Sequence, residues 1–237
     1  MRAHERSKTH LPSLIVSSMV DDNIRLSIRL ITGKEPMPQG QDAESSTADE
    51  NDSLSRAFGG RVRGLREASG LTLEQLSQLS GVSRAMLSKV ERGEKSPTIG
   101  IATRIAHSLQ SSLTELVGGD QPGGSTVVMR RAARPVFRDP ETGFERHIVS
   151  PATGGSRVEL IYHYLPAGVA TGLLPGYPPG VEKQIVVTIG NLVVEFRTRK
   201  EYLGPGDSLF FQADVEHGFV NQTAEPCGYF MVISRRT

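Results

Sequence analysis

Arg84 and Ala85 are followed four residues later by Ser88 and Lys89, a spacing that places all four on one face of a helix. Met86, Leu87 and Val90 fall on the opposite face and are suited to burial. Guanidinium or ammonium groups on such a face can donate to guanine O6 and N7, while Ala and Ser suit thymine methyls or mixed contacts. The chemistry open to this set is the reading of base edges, not the making of bonds. Bond-making chemistry has no local motif to rest on. G-x-x-x-x-G-K-[ST], G-x-S-x-G and C-x-x-C are all absent.

The elements that would position this face run from Leu71 to Gly93. Thr72 caps a first helix, with Gln75 at the capping-box position, and Leu73, Leu76 and Leu79 recur on one apolar face. Ser80-Gly81 stops that helix, Val82 plugs the corner, Ser83 caps the second helix and Gly93 ends it. This is a helix-turn-helix layout, whose second helix enters a major groove. A preceding helix starts at Leu54 or Phe58 and runs to Ser69, with Val62 and Leu65 inward. Thr98 caps a fourth helix carrying the stripe Ile101, Ala102, Ile105, Ala106 and Leu109, in which His107 reads as an ordinary side chain. Ser112 with Glu115 opens a short fifth helix. Between Gly59 and Val117 eight basic residues face five acidic ones, while the whole chain balances 27 against 26. The surplus lies where a phosphate backbone would be met.

The run SRAMLSKVERGEKSPTIGIATRIAHSLQSSLTEL resembles the DNA-binding domain of the XRE (Cro/cI-like) family of repressors, over roughly Ala57 to Val117. The resemblance implies sequence-specific binding to a double-stranded DNA operator and a homodimer on paired half-sites. The residues expected to serve are Thr72, Gln75, Ser83, Arg84, Ala85, Ser88, Lys89, Arg92 and Lys95. Thr72 and Ser83 set helix N-termini against phosphates, and Arg92 and Lys95 add charge. Many relatives carry Gln directly after the capping Thr; here that residue is Leu73, with Gln75 or Gln78 as the substitute.

On either side of this region the composition changes. Residues 1–55 are expected to be a disordered tail, polar from Gly33 onward. Ile24 to Ile31 could be a strand or a short helix, and the first twenty residues only faintly mimic a secretory signal. Residues 118–125, GGDQPGGS, read as a flexible linker. From Thr126 the hydrophobic period falls to two: Arg157 to Leu165 alternates, and Ile185 to Ile189 is β-branched. Gly190-Asn191 before Leu192 to Phe196 is a hairpin signal, and further strands fall at Ser208 to Phe211, Phe219-Val220 and Gly228 to Ile233. Short strands with Gly/Pro turns predict a β-sandwich or barrel over residues 126–237.

That half resembles a cupin, carried by Ile185, Ile189, Gly190 and Leu192, then Leu203, Pro205, Gly206 and Asp207, then His217 and Asn221. The expected architecture is multidomain, all-α plus all-β: a five-helix helix-turn-helix bundle over residues 56–117 followed by a cupin (double-stranded β-helix, jelly-roll) barrel. A catalytic cupin holds a divalent metal with two His, a Glu and a later His. Anchored on Gly190, the Glu position is Lys183, the H-x-H positions fall in 172–179 without His or carboxylate, and only His217 remains. Glu182 is one residue off and faces the other way. No metal, cofactor or catalytic residue is therefore expected, because such a site needs three or more ligands. A barrel with Lys183 and His217 inside suits a small anionic effector, with Tyr162, Tyr177, Gln184 and Tyr229 as polar-tipped walls.

The reading is a DNA-binding transcriptional regulator whose barrel senses a small molecule or dimerises. The alternatives are a metal-dependent cupin oxidase or epoxidase, and a repressor or antitoxin with a purely structural barrel. The single Cys227 excludes an intramolecular disulfide and fits a reducing cytoplasm, and no apolar run is long enough to span a membrane.

Overall fold

A computed structural model describes residues 44–118, 127–151 and 157–235. The N-terminal tail up to residue 43 and nearly all of the expected linker lie outside the described residues. The helical head comprises α1 (Glu44–Ala68), α2 (Leu73–Ser80), α3 (Arg84–Glu91), α4 (Ile99–Ser108) and α5 (Leu113–Gly118). The local signals for these elements are formed. Thr72 and Gln75 make a reciprocal capping box on α2, Ser83 accepts from Met86 N, and Thr98 accepts from Ile101 N. Ser112 and Glu115 exchange hydrogen bonds of 3.1 and 2.9 Å at the start of α5.

Two expectations for the head are corrected. α1 starts at Glu44, so residues 44–55 are helical where disorder was expected. A segment with few apolar residues can still extend a helix anchored further on, because propagation is far cheaper than nucleation. The second correction is Leu79, which is 61% exposed, while Ser80 is buried and donates to Leu76 O.

α1 lies across α3 at Gly59. A Cβ there would stand 2.1 Å from Val90 O, whereas one at Gly60 meets nothing within 4 Å. Helix propensity alone favours Ala at both positions by about 0.5–1 kcal/mol. The expected result is that Gly60→Ala raises the urea midpoint. Gly59→Ala lowers it through a loss of about 1–3 kcal/mol in stability, since backbone cannot yield as a side chain can. Equal effects of the two variants on the midpoint would exclude this close crossing.

The β half has nine strands among the described residues: β1 (Val136–Arg138), β2 (Glu145–Ile148), β3 (Val158–Leu165), β4 (Val181–Ile189), β5 (Leu192–Phe196), β6 (Lys200–Leu203), β7 (Ser208–Gln212), β8 (His217–Val220) and β9 (Cys227–Arg235). They form two antiparallel sheets, β1-β2-β3-β9-β4-β7 and β6-β5-β8. β4 and β5 are not a hairpin. β4 pairs with β7 and β9, β5 with β6 and β8, and the chain changes sheet at Gly190. Gly190 takes φ +66°, and a Cβ on it would lie 2.3 Å from Pro226 O. The Gly-Asn pair therefore turns a corner between sheets. Ile161, Leu165, Ile185, Phe211, Phe219, Met231 and Ile233 fill the space between them.

Head and barrel belong to one compact unit, Ala43–Thr237. Asp139 Oδ2 accepts from Ile99 N at 2.7 Å, so a barrel carboxylate satisfies a free N–H in the first turn of α4. Phe58 packs on Phe137, and His107 meets Tyr177 edge-on at 4.6 Å. Thr114 of α5 donates to Glu159 and accepts from Arg146 at 3.0 Å.

Candidate functional site

The outward side of the helix-turn-helix is built from its caps. Gly81 takes the left-handed conformation (φ +64°) that ends α2, Val82 is buried, and Ser83 starts α3. Leu87 and Val90 are buried, which leaves Arg84, Ala85 and Lys89 exposed and Ser88 half-buried. Arg66 holds the C-terminal end of α3 onto α1, donating to Glu91 at 2.6 and 2.9 Å and to Leu71 O at 2.9 Å. Glu91 holds the Arg66 guanidinium above its ordinary pKa, so this cation is committed to positioning.

Thr72, Gln75 and Lys95 are exposed on the same domain. Gln75 Oε1 is taken by the Thr72 amide at 2.8 Å, leaving its amide nitrogen as the group it can offer. Arg92 donates to Glu94 at 2.5 and 2.9 Å and to the Ser88 hydroxyl, so a phosphate must compete with that exposed pair.

Inside the barrel the structure brings together four of the six expected pocket residues: Tyr177, Lys183, His217 and Tyr229. Lys183 Nζ donates to His217 Nε2 at 2.8 Å and lies 4.5 Å from the Tyr177 ring centre. His217 Nδ1 donates to Val215 O at 2.8 Å, which assigns the neutral Nδ1–H tautomer. Burial, with the charge of Lys183, pushes His217 down to about 3. Burial, with Arg146, also holds the Lys183 amine well below the ordinary lysine range, and Glu159 partly offsets this. Tyr229 hydroxyl meets His163 Nδ1 at 3.0 Å.

Tyr162 and Gln184 are not part of this group. Adjacent strand residues face opposite sides, so Tyr162 and Gln184 lie across the sheet from His163 and Lys183. Tyr162 is buried against Phe230 at 5.0 Å and Gln184 is exposed. Arg146, Glu159 and His163 are buried polar residues of β2 and β3 that the sequence reading did not assign to the interior. For Glu159 and His163 the signal is parity with Ile161 and Leu165, the apolar inward residues of β3, while Arg146 of β2 lies opposite His163. The interior is nearly filled. The cavity lined by Arg146, His163, Tyr177, Lys183, and Ile99 and Thr103 of the head measures about 10 Å³.

Comparison with known proteins agrees with both halves. The helix-turn-helix family model HTH_3 matches residues 62–116, and the cupin-domain model Cupin_2 matches residues 179–233. An uncharacterized HTH-type transcriptional regulator of Sinorhizobium fredii, y4dJ, is 36% identical over 64 residues, 27% of this chain and 83% of that protein. The chain is an HTH-type transcriptional regulator. Its partner is accordingly DNA, met by the XRE-type head, and a cupin domain follows. The regulator is also similar to SutR of Escherichia coli, 27% identical over 173 residues that cover 72% of this chain and 90% of that one. An HTH_3 family transcriptional regulator from Vibrio cholerae shares the fold with a TM-score of 0.63 at 23% identity, over 79% of this chain and 99% of that one.

The cupin fold raises the question of a metal, and the regulator's residues do not fit one. The lone pair of His217 Nε2 that a metal would need accepts from Lys183, and the carboxylate position is itself an amine. Glu182 faces outward and accepts from Gln212 at 2.9 Å. No three of His, Cys, Asp and Glu converge as ligands among the described residues. No described helix of the regulator is long and apolar enough to cross a membrane.

Proposed function

We propose that the chain binds a specific operator as a homodimer, reads it with α3, and responds to a small molecule through its barrel half, without catalysing a reaction. The observation that carries the DNA reading is the outward face of α3: Arg84, Ala85 and Lys89 exposed beside the cap Ser83, on a helix pinned from behind by Leu87, Val90 and the Arg66–Glu91 pair. In this reading Arg84, Ala85, Ser88 and Lys89 face bases. The N-termini at Thr72 and Ser83, with Gln75, Arg92 and Lys95, face phosphates. Phe210 and Val186, exposed on the outer face of β7 and β4, support dimerisation through the barrel. The Lys183–His217 pair in place of a ligand set supports a barrel that does no metal chemistry. The lone, buried Cys227 supports action in the reducing cytoplasm.

The test is fluorescence anisotropy with the DNA upstream of the protein's own gene, at two salt concentrations, with random DNA as competitor. Binding that survives competition at physiological salt supports an operator reader. Arg84→Ala is expected to weaken operator binding by about 1–3 kcal/mol and to relax preference at one base pair. An equal loss on operator and random DNA would reduce Arg84 to a backbone contact.

A further inference from the structure

The near-filled barrel leaves little room for a ligand, but the seam between barrel and head does not. A cavity of about 840 Å³ opens there, within the ~300–1,000 Å³ common for small-molecule sites. The corner between α4 and α5 supplies His107 and Glu115, and the end of the barrel supplies Arg157, Tyr177 and Arg235. Glu115, the one acid in the lining, already accepts from Ser111 Oγ at 2.7 Å and Ser112 N at 2.9 Å. Arg235 is held at 2.6 Å by Glu159, and Arg157 is exposed with no acidic partner among the described residues. His107 Nε2 is shielded from solvent and has no hydrogen-bond partner.

We propose that this seam is the effector site and takes a small organic anion, a carboxylate or phosphate ester of metabolite size. The proposal rests on the reading that the regulator responds to a small molecule, and it moves the site from the barrel interior to the seam. Arg157 and Arg235 present guanidiniums suited to carboxylate or phosphate, and His107 offers a neutral ring nitrogen to a ligand oxygen or hydroxyl. Because both halves line the cavity, an anion held there binds the docked arrangement more tightly than an undocked one. That differential affinity is what couples a ligand to the position of the DNA-reading head.

The experiment is thermal unfolding of the full chain with citrate or inorganic phosphate, against chloride at equal ionic strength. One of the two anions is expected to raise Tm by about 3–6 °C at ten times its Kd. Arg157→Gln and His107→Gln should each weaken that anion about tenfold or more, read from the concentration dependence of the shift. Lys183→Met should keep the shift relative to its own baseline. No shift with either anion in the unmodified chain would overturn the anion site. A shift kept by Arg157→Gln and His107→Gln but lost in Lys183→Met would also overturn it, while returning the effector to the barrel interior and leaving the effector reading intact.

Discussion

Glu159→Leu is expected to destabilise the chain by about 3–5 kcal/mol, because it strands a buried cation. Glu159 is 4% exposed, and its carboxylate accepts from Thr114, from Arg235 at 2.6 Å and from Arg146 at 3.5 Å. Arg146 is itself 4% exposed, and its Nε has no hydrogen-bond partner. Its other nearby polar groups are the Thr114 hydroxyl at 3.0 Å and His163 Nε2 at 3.5 Å, and neither carries a compensating negative charge. Removing both charges is a different matter. A buried pair contributes little net stability over well-packed apolar groups, so Arg146→Met with Glu159→Leu should recover most of the loss. Urea unfolding of the four-member cycle measures this. Additive losses in the double variant would show that the two residues are not coupled.

Acidification should act strongly and with a defined sign. His217, neutral at about pH 3 and above in the folded chain, takes a proton near pH 6.5 once unfolded. Between those values the unfolded state binds a proton that the folded state excludes, so stability falls as pH falls, by about 1.4 kcal/mol per pH unit. Lowering the pH from 6.5 to 5 should therefore cost about 2 kcal/mol through His217 alone. His163, held well below its ordinary value by burial and by Arg146, acts in the same direction. Lys183 contributes on the alkaline side: its amine is depressed in the folded chain, so stability rises as pH approaches the ordinary lysine range. Urea midpoints at pH 7.5 and 5 check this, and His217→Gln should flatten the acid limb. A midpoint independent of pH over that range would refute a buried, neutral His217.

What was legible in the sequence follows the range of the interaction. The caps at Thr72, Ser83, Thr98 and Ser112 were readable because each hydrogen bond closes within three residues. The helix-turn-helix is legible for the same reason, whereas Lys183 and His217, far apart in sequence and 2.8 Å apart in the fold, are placed together only by the cupin resemblance. Leu79 shows the limit of periodicity. Spacing names a stripe but not where a short helix leaves the core, and α2 turns Ser80 inward instead. Gly190-Asn191 shows a second limit. The pair specifies a tight turn, while the approach of Pro226 from a distant part of the chain decides that the turn joins two sheets. The outward place of Gln184 is legible in the sequence, since Lys183 inside sends its neighbour out. The contacts of Thr114, Asp139, Arg146 and Glu159 between the halves left no local trace. Buried polar residues reveal their partners only once the fold brings them within reach.

The bond from Asp139 to Ile99 N bears on how freely such heads and barrels can be recombined. The fourth helix of the head begins on a carboxylate that the head does not encode. A graft of this head onto another barrel would carry that unmet N–H with it, along with a Thr114 hydroxyl that loses both of its buried partners. The two halves are joined in sequence as separable pieces, yet they have become mutually dependent at the seam. Modularity here stops at the level of family resemblance, and the unit that can be exchanged is the pair.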